Sequence, residues 1–419
     1  MFKLVLKYFI FVTIWVSSTL TLDAQAQAAF IAVGIDGDTL TFYRVMPGGD
    51  LESMTTLSEN FRLGQSTANQ PDIWSIPNYH HISLSHEQER VTFTAQRGSA
   101  ASLFILDVSD GLIANQALPS VALLPNWSPD GTAILLSPPF PLVGYEVGGN
   151  NVESYVYDVN AAILHQITNS PEILEIDFIW MDNSTLVFNG RDNVYRISRE
   201  GGMAEAITDL TPNQLPVCNL TLSDVTQRIY FVVGCSAIQS HQALYSTSID
   251  GDPRLEISLS SWYPEGVFSF RVISISSLGE GIYLSIDSQA LTRSWIVLHH
   301  SLTGETSLLL EEVAQTELTG AVFADLSPDM ALISGEQIAV YHRQDGSFIA
   351  SWTASGLVCN LQWITDRLLV YNVEEYACNS IISHPIGIQS LNVHTGSPDD
   401  SIQTAIAEIG ETQFLIEPG

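Results

Sequence analysis

Three features of the chain predict an all-β protein folded as a β-propeller. Short runs rich in Val, Ile, Tyr, Phe and Thr alternate with clusters of Gly, Asp, Asn and Pro, and helical periodicity is scarce beyond the N-terminus. Turns of one kind fall at Gly48, Gly111, Asn160, Gly201, Gly251, Gly304, Gly346 and Gly396, at intervals of 41 to 63 residues. A four-strand blade repeats every ~40–50 residues. A second hairpin runs in register with the first, its turns following Leu84, Trp127, Trp180, Leu222, Ile275, Leu326 and Trp363. The expectation is eight four-stranded blades, with seven as the alternative count, closed into a ring by the N- and C-terminal strands.

Taken in order, residues 1–26 read as a signal peptide. Lys3 and Lys7 supply a positive start, Tyr8 to Val16 is an apolar run short for a bilayer, and Ala24-Gln25-Ala26 and Ala26-Gln27-Ala28 are small-residue cleavage sites. Residues 27–419 then form one propeller domain, secreted or periplasmic, with no stable membrane insertion after cleavage. The first sheet has three strands of its own, Ile31 to Ile35, Leu40 to Val45 and Met54 to Leu57. Seven first hairpins against eight second ones leave that sheet short of its innermost strand, and Gln413 to Glu417 is the candidate to fill the gap. Filling it removes an open edge.

The best-formed repeat is Asn126-Trp127-Ser128-Pro129-Asp130-Gly131-Thr132 followed by Ala133-Ile134-Leu135-Leu136. Pro presets φ at the second turn position and Gly accepts conformations that other residues avoid. Tyr155-Val156-Tyr157-Asp158 with Gln166-Ile167-Thr168, Val194-Tyr195-Arg196-Ile197 with Ala206-Ile207-Thr208, and Leu244-Tyr245 with Glu256-Ile257-Ser258 mark outer hairpins. With Leu326-Ser327-Pro328-Asp329, these segments resemble the WD40-like propellers of the TolB type, also found as the propeller of dipeptidyl-peptidase-IV-like enzymes. The resemblance implies the fold and leaves function open, because propellers host unrelated activities. The chain lacks the hydrolase domain of those enzymes and has no Gly-x-Ser-x-Gly elbow. Asp345-Gly346-Ser347-Phe348-Ile349-Ala350-Ser351-Trp352 also resembles, in one copy, the repeat of quinone-dependent dehydrogenases.

A duplication stands apart from the turns. Val217-Cys218-Asn219-Leu220 recurs as Val358-Cys359-Asn360-Leu361, and each is followed by Cys-x-x-Ile-x-Ser-His, at Cys235 to His241 and Cys378 to His384. Four cysteines allow three connectivities. Cys218–Cys235 and Cys359–Cys378 are the expected pairs, because each joins positions on one hairpin and the alternatives cross three blades. Free thiols are the bland alternative in an oxidising compartment, and metal binding lacks the close Cys-x-x-Cys spacing.

The loops bearing His241 and His384 share a face with the entrances to the innermost strands. Tyr79, His80 and His81 precede one such strand, and Trp74, Tyr145 and Glu146 lie in long insertions on the same side. Long loops on a rigid scaffold are where binding resides, so these eight residues are the candidate binding set. No catalytic set is assigned. Neighbours on a strand point to opposite faces, so Ser240 is poorly placed for activation by His241. Blades three apart hold His241 and His384 too far apart to share an ion. The Asp-Gly turns lack the calcium-loop ladder, Trp127, Trp180 and Trp363 read as blade packing, and the Asn-x-Ser/Thr tripeptides at Asn126, Asn183 and Asn219 are common.

Charge narrows the partners. The chain has 15 basic and 46 acidic residues, a formal net charge of −31. Such a body repels nucleic acid and anionic lipid. With lysine confined to positions 3 and 7, Schiff-base chemistry and a P-loop lysine are also excluded. The expected function is an exported, monomeric, non-catalytic module binding a protein or peptide, with no cofactor and no metal. The alternative is a lyase, hydrolase or quinoprotein-like enzyme working in the central channel.

Overall fold

The computed structural model describes residues 30–415 apart from a number of stretches, the longest of them 139–152, 375–384, 64–72 and 259–267. Among the described residues the chain forms eight sheets in succession. Sheets two to eight are each built from consecutive segments, spanning Phe61–Leu118, Leu124–Gln166, Ile176–Ala206, Val217–Ser258, Phe268–Ala314, Leu318–Thr353 and Leu357–Asn392. The first sheet joins both ends of the chain. Phe30–Asp36, Thr39–Val45 and Leu51–Leu57 are completed by Thr412–Leu415, antiparallel to the first of them with Val33 opposite Phe414. The expected closure is thus met, with the closing strand one residue earlier than its sequence pattern places it.

Each sheet is apolar on both faces, which forces it to stack between two neighbours. The second strand of each sheet shows this with period two. Ile134 and Leu136 face the cluster shared with sheet two, while Ala133 and Leu135 face the cluster shared with sheet four. In the same way Ile229, Phe231 and Val233 pack toward sheet four, and Tyr230 and Val232 toward sheet six. Among the described residues, apolar clusters of this kind join sheets one and two, two and three, three and four, four and five, five and six, seven and eight, and eight and one; the first strands of sheets six and seven, Phe268–Ile275 and Leu318–Phe323, lie alongside each other. From sheet two onward, nearly every sheet has its first strand against the first strand of the next, so these strands are innermost and line the channel.

The Ser-Pro-Asp-Gly turn is held by its own side chains. Gly131 takes φ +65, and its N–H donates to Ser128 O at 2.9 Å. Asp130 Oδ1 accepts from the Ser128 hydroxyl at 2.7 Å, the Thr132 hydroxyl at 2.8 Å and the Thr132 N–H at 3.0 Å. Burial works to raise the Asp130 pKa, but these donors and the Arg199 charge hold it below the usual carboxylate value. Tryptophan repeats as an inter-sheet tie: Trp127 Nε1 donates to Ser83 O at 3.4 Å, and Trp180 Nε1 to Asn126 O at 3.3 Å. Ser83 and Asn126 occupy one repeat position, each preceding the residue that marks the turn. The recurring Thr at the end of the outer hairpin has a similar logic, its hydroxyl accepting from a backbone N–H of the third-strand side. Thr168 takes Ser154 N at 2.9 Å, and Thr208 takes Val194 N at 3.0 Å.

Two sheets depart from the four-strand expectation. Sheet two has six strands: Phe61–Leu63 runs parallel to Trp74–Ile76, which extends the inner edge beside Ile82–Leu84. Sheet eight has three, and the helix α1 (Asp400–Ile409) follows it. Ile402, Ala405, Ile406 and Ile409, spaced on one helical face, bury into the cluster formed by sheets eight and one. Asp399 caps the helix, its Oδ1 accepting from Ile402 N–H at 3.1 Å. The expected four-strand blade, with its outer turn at Gly396, puts a fourth strand after that turn. A helix forms because sheet eight and the ring joint leave an apolar recess that a helical stripe fills.

Candidate functional site at the channel rim

The innermost strands are not regular. Those of sheets four, five and eight carry a β-bulge at the same repeat position. Register shifts between Ile176 and Ile179, between Cys218 and Thr221, and between Cys359 and Gln362. In each case two residues oppose one: Asp177-Phe178 against Phe188, Asn219-Leu220 against Phe231, and Asn360-Leu361 against Tyr371. The local sequence explains the shape. Asp and Asn tolerate the left-handed region better than other side chains, and Asp177 and Asn219 adopt φ +48 and +55. The apolar residue that follows turns into the core: Phe178, Leu220 and Leu361 are all buried, and Phe178 stacks on Phe188 at 4.7 Å. Each bulge thus separates a polar residue from an apolar one that seats it. Bulges re-aim side chains and gather at barrel rims and active sites.

These bulges lie near the starts of their strands, on the face that the sequence assigns to the loop-rich rim. Asp177 is exposed there, and its Oδ2 accepts from Asn189 Nδ2 at 3.0 Å. Asn189 is wholly buried. Asn219 is half-buried, and its Nδ2 donates to the Cys218 sulfur at 3.0 Å. Cys218 and Cys359, which begin two of the bulges, are both disulfide-bonded. Across from the third bulge, burial pushes the Tyr371 phenol up to about 12, so it stays neutral and donates to Gln389 at 3.1 Å.

Of the eight candidate binding residues, Tyr79, His80, Tyr145, Glu146, His241 and His384 lie outside the described residues, as do Cys235 and Cys378. The structure describes the other two away from open solvent. His81 is buried, with Nδ1 3.0 Å from Thr94 Oγ1 and 3.3 Å from Leu123 O. The Thr94 hydroxyl donates to the same carbonyl at 2.6 Å, so the geometry calls for a proton on His81 Nδ1 and ties sheet two to sheet three. Trp74 is half-buried in the additional strand of sheet two, edge-on to Phe104 at 5.2 Å and with the Arg97 guanidinium 4.7 Å above its ring. Asp177 escaped the sequence reading. A usable signal was present, since Asp177, Asn219 and Asn360 each stand three residues before the turn-marking Trp180, Leu222 and Trp363.

A second buried polar group lies at the outer side of sheets five and six. His299 is fully buried, with Nδ1 3.0 Å from Thr306 Oγ1 and Nε2 3.5 Å from Glu256 Oε2. The Ser246 hydroxyl is bonded to the other Glu256 oxygen and takes a 2.8 Å bond from Arg228 Nε. Glu256 therefore stands between Ser246 and His299. A hydroxyl activated by imidazole needs the imidazole in the middle, so this group clasps two sheets instead. No cluster of three or more His, Cys, Asp or Glu able to hold a metal occurs among the described residues.

Fold and site together define a β-propeller with a bulged, polar channel rim. No family model matches the chain, and no curated protein matches it. Solved structures do. Dihydro-heme d1 dehydrogenase NirN in complex with DHE aligns with a TM-score of 0.57 at 10% identity, over 94% of this chain and 74% of that one. Saccharomyces cerevisiae Sqt1 aligns at 0.51 and 12%, over 76% and 83%. An oligogalacturonate lyase in complex with manganese aligns at 0.50 and 10%, over 70% and 85%. Identities this low speak for the propeller fold alone.

Proposed function

We propose that this protein is an exported, disulfide-braced β-propeller of the TolB-like type that binds a protein or peptide at the channel rim. The observation that carries the reading is the threefold bulge, in which Asp177, Asn219 and Asn360 are set at one level of the innermost strands. Two of these bulges begin at disulfide-bonded cysteines. We assign the pairs as Cys218–Cys235 and Cys359–Cys378, each pinning a rim loop to the strand that holds a bulge. Disulfide bonding together with the basic and apolar N-terminus favours an extracytoplasmic location. The test is a pull-down from the secreted or periplasmic fraction with the tagged protein, oxidised and then reduced. A partner retained by the oxidised form and lost on reduction supports the reading; none retained by either form refutes it.

An enzyme working in the channel is the second reading, and Asp177 is what favours it. It is an exposed carboxylate, steadied by a buried amide and held in a sparsely populated backbone conformation, a combination common at catalytic sites. Turnover of an acidic polysaccharide or a peptide library that disappears in Asp177→Asn is the result expected from this reading.

A further inference from the structure

We infer that the junction of sheets six and seven, on the face opposite the loop-rich rim, takes a carboxylate from outside the chain through Arg343. This is a second surface, and it stands or falls apart from the rim reading.

Arg343 directly follows the third strand of sheet seven, Gln337–His342. The residue is half-buried, and its Nη1 is enclosed without a hydrogen-bond partner. Every other arginine whose side chain is described has a hydrogen bond, a carboxylate or an aromatic ring of its own. A guanidinium keeps its charge, so an enclosed and unanswered N–H of this kind is costly until an acceptor arrives. The carboxylates nearest in the chain are engaged elsewhere. Asp329 Oδ1 lies 2.7 Å from His342 Nδ1, and Asp345 Oδ1 accepts from the Ser347 N–H at 2.9 Å.

The repeat shows which acceptor is missing. Arg343 occupies the position of Arg199 in sheet four. Ser198 and His342, the residues before them, each end a third strand and pair with the first residue of the second strand, Thr185 and Asp329. Arg199 turns to the preceding sheet and meets Asp158 at 3.0 Å. In sheet seven Ala331, Ile333, Ile338 and Val340 face sheet eight, so alternation turns Tyr341 and Arg343 toward sheet six. Asp158 ends its own third strand opposite Ala133, and the counterpart in sheet six, opposite Gly281, is His300. His299 reaches sheet five through Glu256, so its neighbour His300 faces sheet seven. Two nitrogen bases thus stand where sheets three and four set a base against an acid. A carboxylate fills that place in the paired copy, and it accepts from guanidinium and imidazole N–H alike. Glu280, which takes the place of Thr132, lies outside the described residues and has its own arm in the test.

The experiment uses the full chain with disulfides intact, at roughly 0.15 M salt, where the acidic body's repulsion of anions is screened. Gly-Gly-Asp-Gly-Gly amide carrying an uncharged dye, and its Asn counterpart, are titrated by fluorescence anisotropy, with succinate and inorganic phosphate as competitors. Saturable binding of the Asp peptide is expected, about fivefold or more weaker for Asn. Arg343→Gln should weaken it about tenfold or more, while Arg367→Gln, which removes the same charge from an exposed turn, should leave it unchanged. His300→Asp supplies the acceptor present in sheet three. It should abolish binding and raise the urea midpoint of unfolding, and it carries the test should Arg343→Gln fail to fold. Displacement by succinate supports a free acid as the occupant; peptide binding that succinate leaves intact supports a carboxylate borne by a partner segment. The inference is overturned by no saturable binding, by equal binding in wild type and Arg343→Gln, or by an equal loss in Arg367→Gln. Undiminished binding by His300→Asp, binding that appears only in Glu280→Gln, and phosphate displacing the peptide more strongly than succinate each overturn it as well.

Discussion

Substituting Gly34 by alanine tests how the ring is closed. An alanine methyl at this position would lie 2.5 Å from the carbonyl oxygen of Ile409 and 2.7 Å from its Cγ2. The oxygen is backbone at the end of α1, so a rotamer change cannot relieve the contact and the helix end must retreat. Retreat uncovers part of Ile406 and Ile409, both only 4% exposed. It also drags on Thr412–Leu415, in which Gln413 is paired with Gly34 itself. Overpacking costs about 1–3 kcal/mol, and re-exposing most of one isoleucine adds roughly 1–2 kcal/mol. The expected loss is about 2–5 kcal/mol, read by urea unfolding. Hydrogen exchange should rise first in α1, in the closing strand and in Phe30–Asp36. Gly48→Ala is the control, since a methyl there meets nothing within 4 Å. If Gly34→Ala and Gly48→Ala agree within about 0.5 kcal/mol, the helix is not what seats the closing strand.

Other expectations follow from the same contacts. Trp180→Phe removes the indole donor to Asn126 O while keeping most of the packing, and should cost about 1 kcal/mol in denaturant unfolding. Arg199→Ala breaks a tie from sheet four to sheet three, through Asp158 at 3.0 Å and Thr132 at 3.2 Å. With the side chain 21% exposed, the loss should be roughly 1 kcal/mol and should shrink at high salt. The contact with His299 holds the Glu256 carboxyl below the ordinary glutamate value, against burial and with help from Ser246. The stabilisation it lends is present above the unfolded-state pKa and is lost as pH falls through the folded one, so Glu256→Gln should flatten the fall in stability between about pH 5 and pH 3. Non-reducing peptide mapping should link Cys218 to Cys235 and Cys359 to Cys378, and reduction should cost about 3 kcal/mol for each loop of this size.

How much of this was legible in the chain follows from the range of each interaction. Turns are local: Ser128, Asp130 and Thr132 bond to one another within five residues, so Ser-Pro-Asp-Gly could be read directly. Their recurrence counted the sheets and left one strand over for the ring joint. The rim was less legible. The duplicated Cys-Asn-Leu marked two bulges, but Asp177-Phe178 carries no cysteine, and only its distance from Trp180 aligns it with the others. His81 looked like a rim residue because it precedes a strand. Its burial depends on Thr94 and on Leu123 O, 42 residues away, and no local pattern reports such a contact. Trp74 gives the same lesson, since Phe104 and Arg97 come to it from the two strands beyond.

By itself, then, the order of residues determined the repeating unit, its approximate number and the way the ends meet. Alternating apolar side chains and turn-forming residues act over a few positions, and each sheet with two greasy faces has to find neighbours. Only the assembled ring decided that one stretch becomes a helix, that His81 is enclosed, and that exposed Asp177 is steadied by the buried Asn189 amide. Those outcomes depend on which sheets abut and on what space remains between them, and side chains distant in the chain set both.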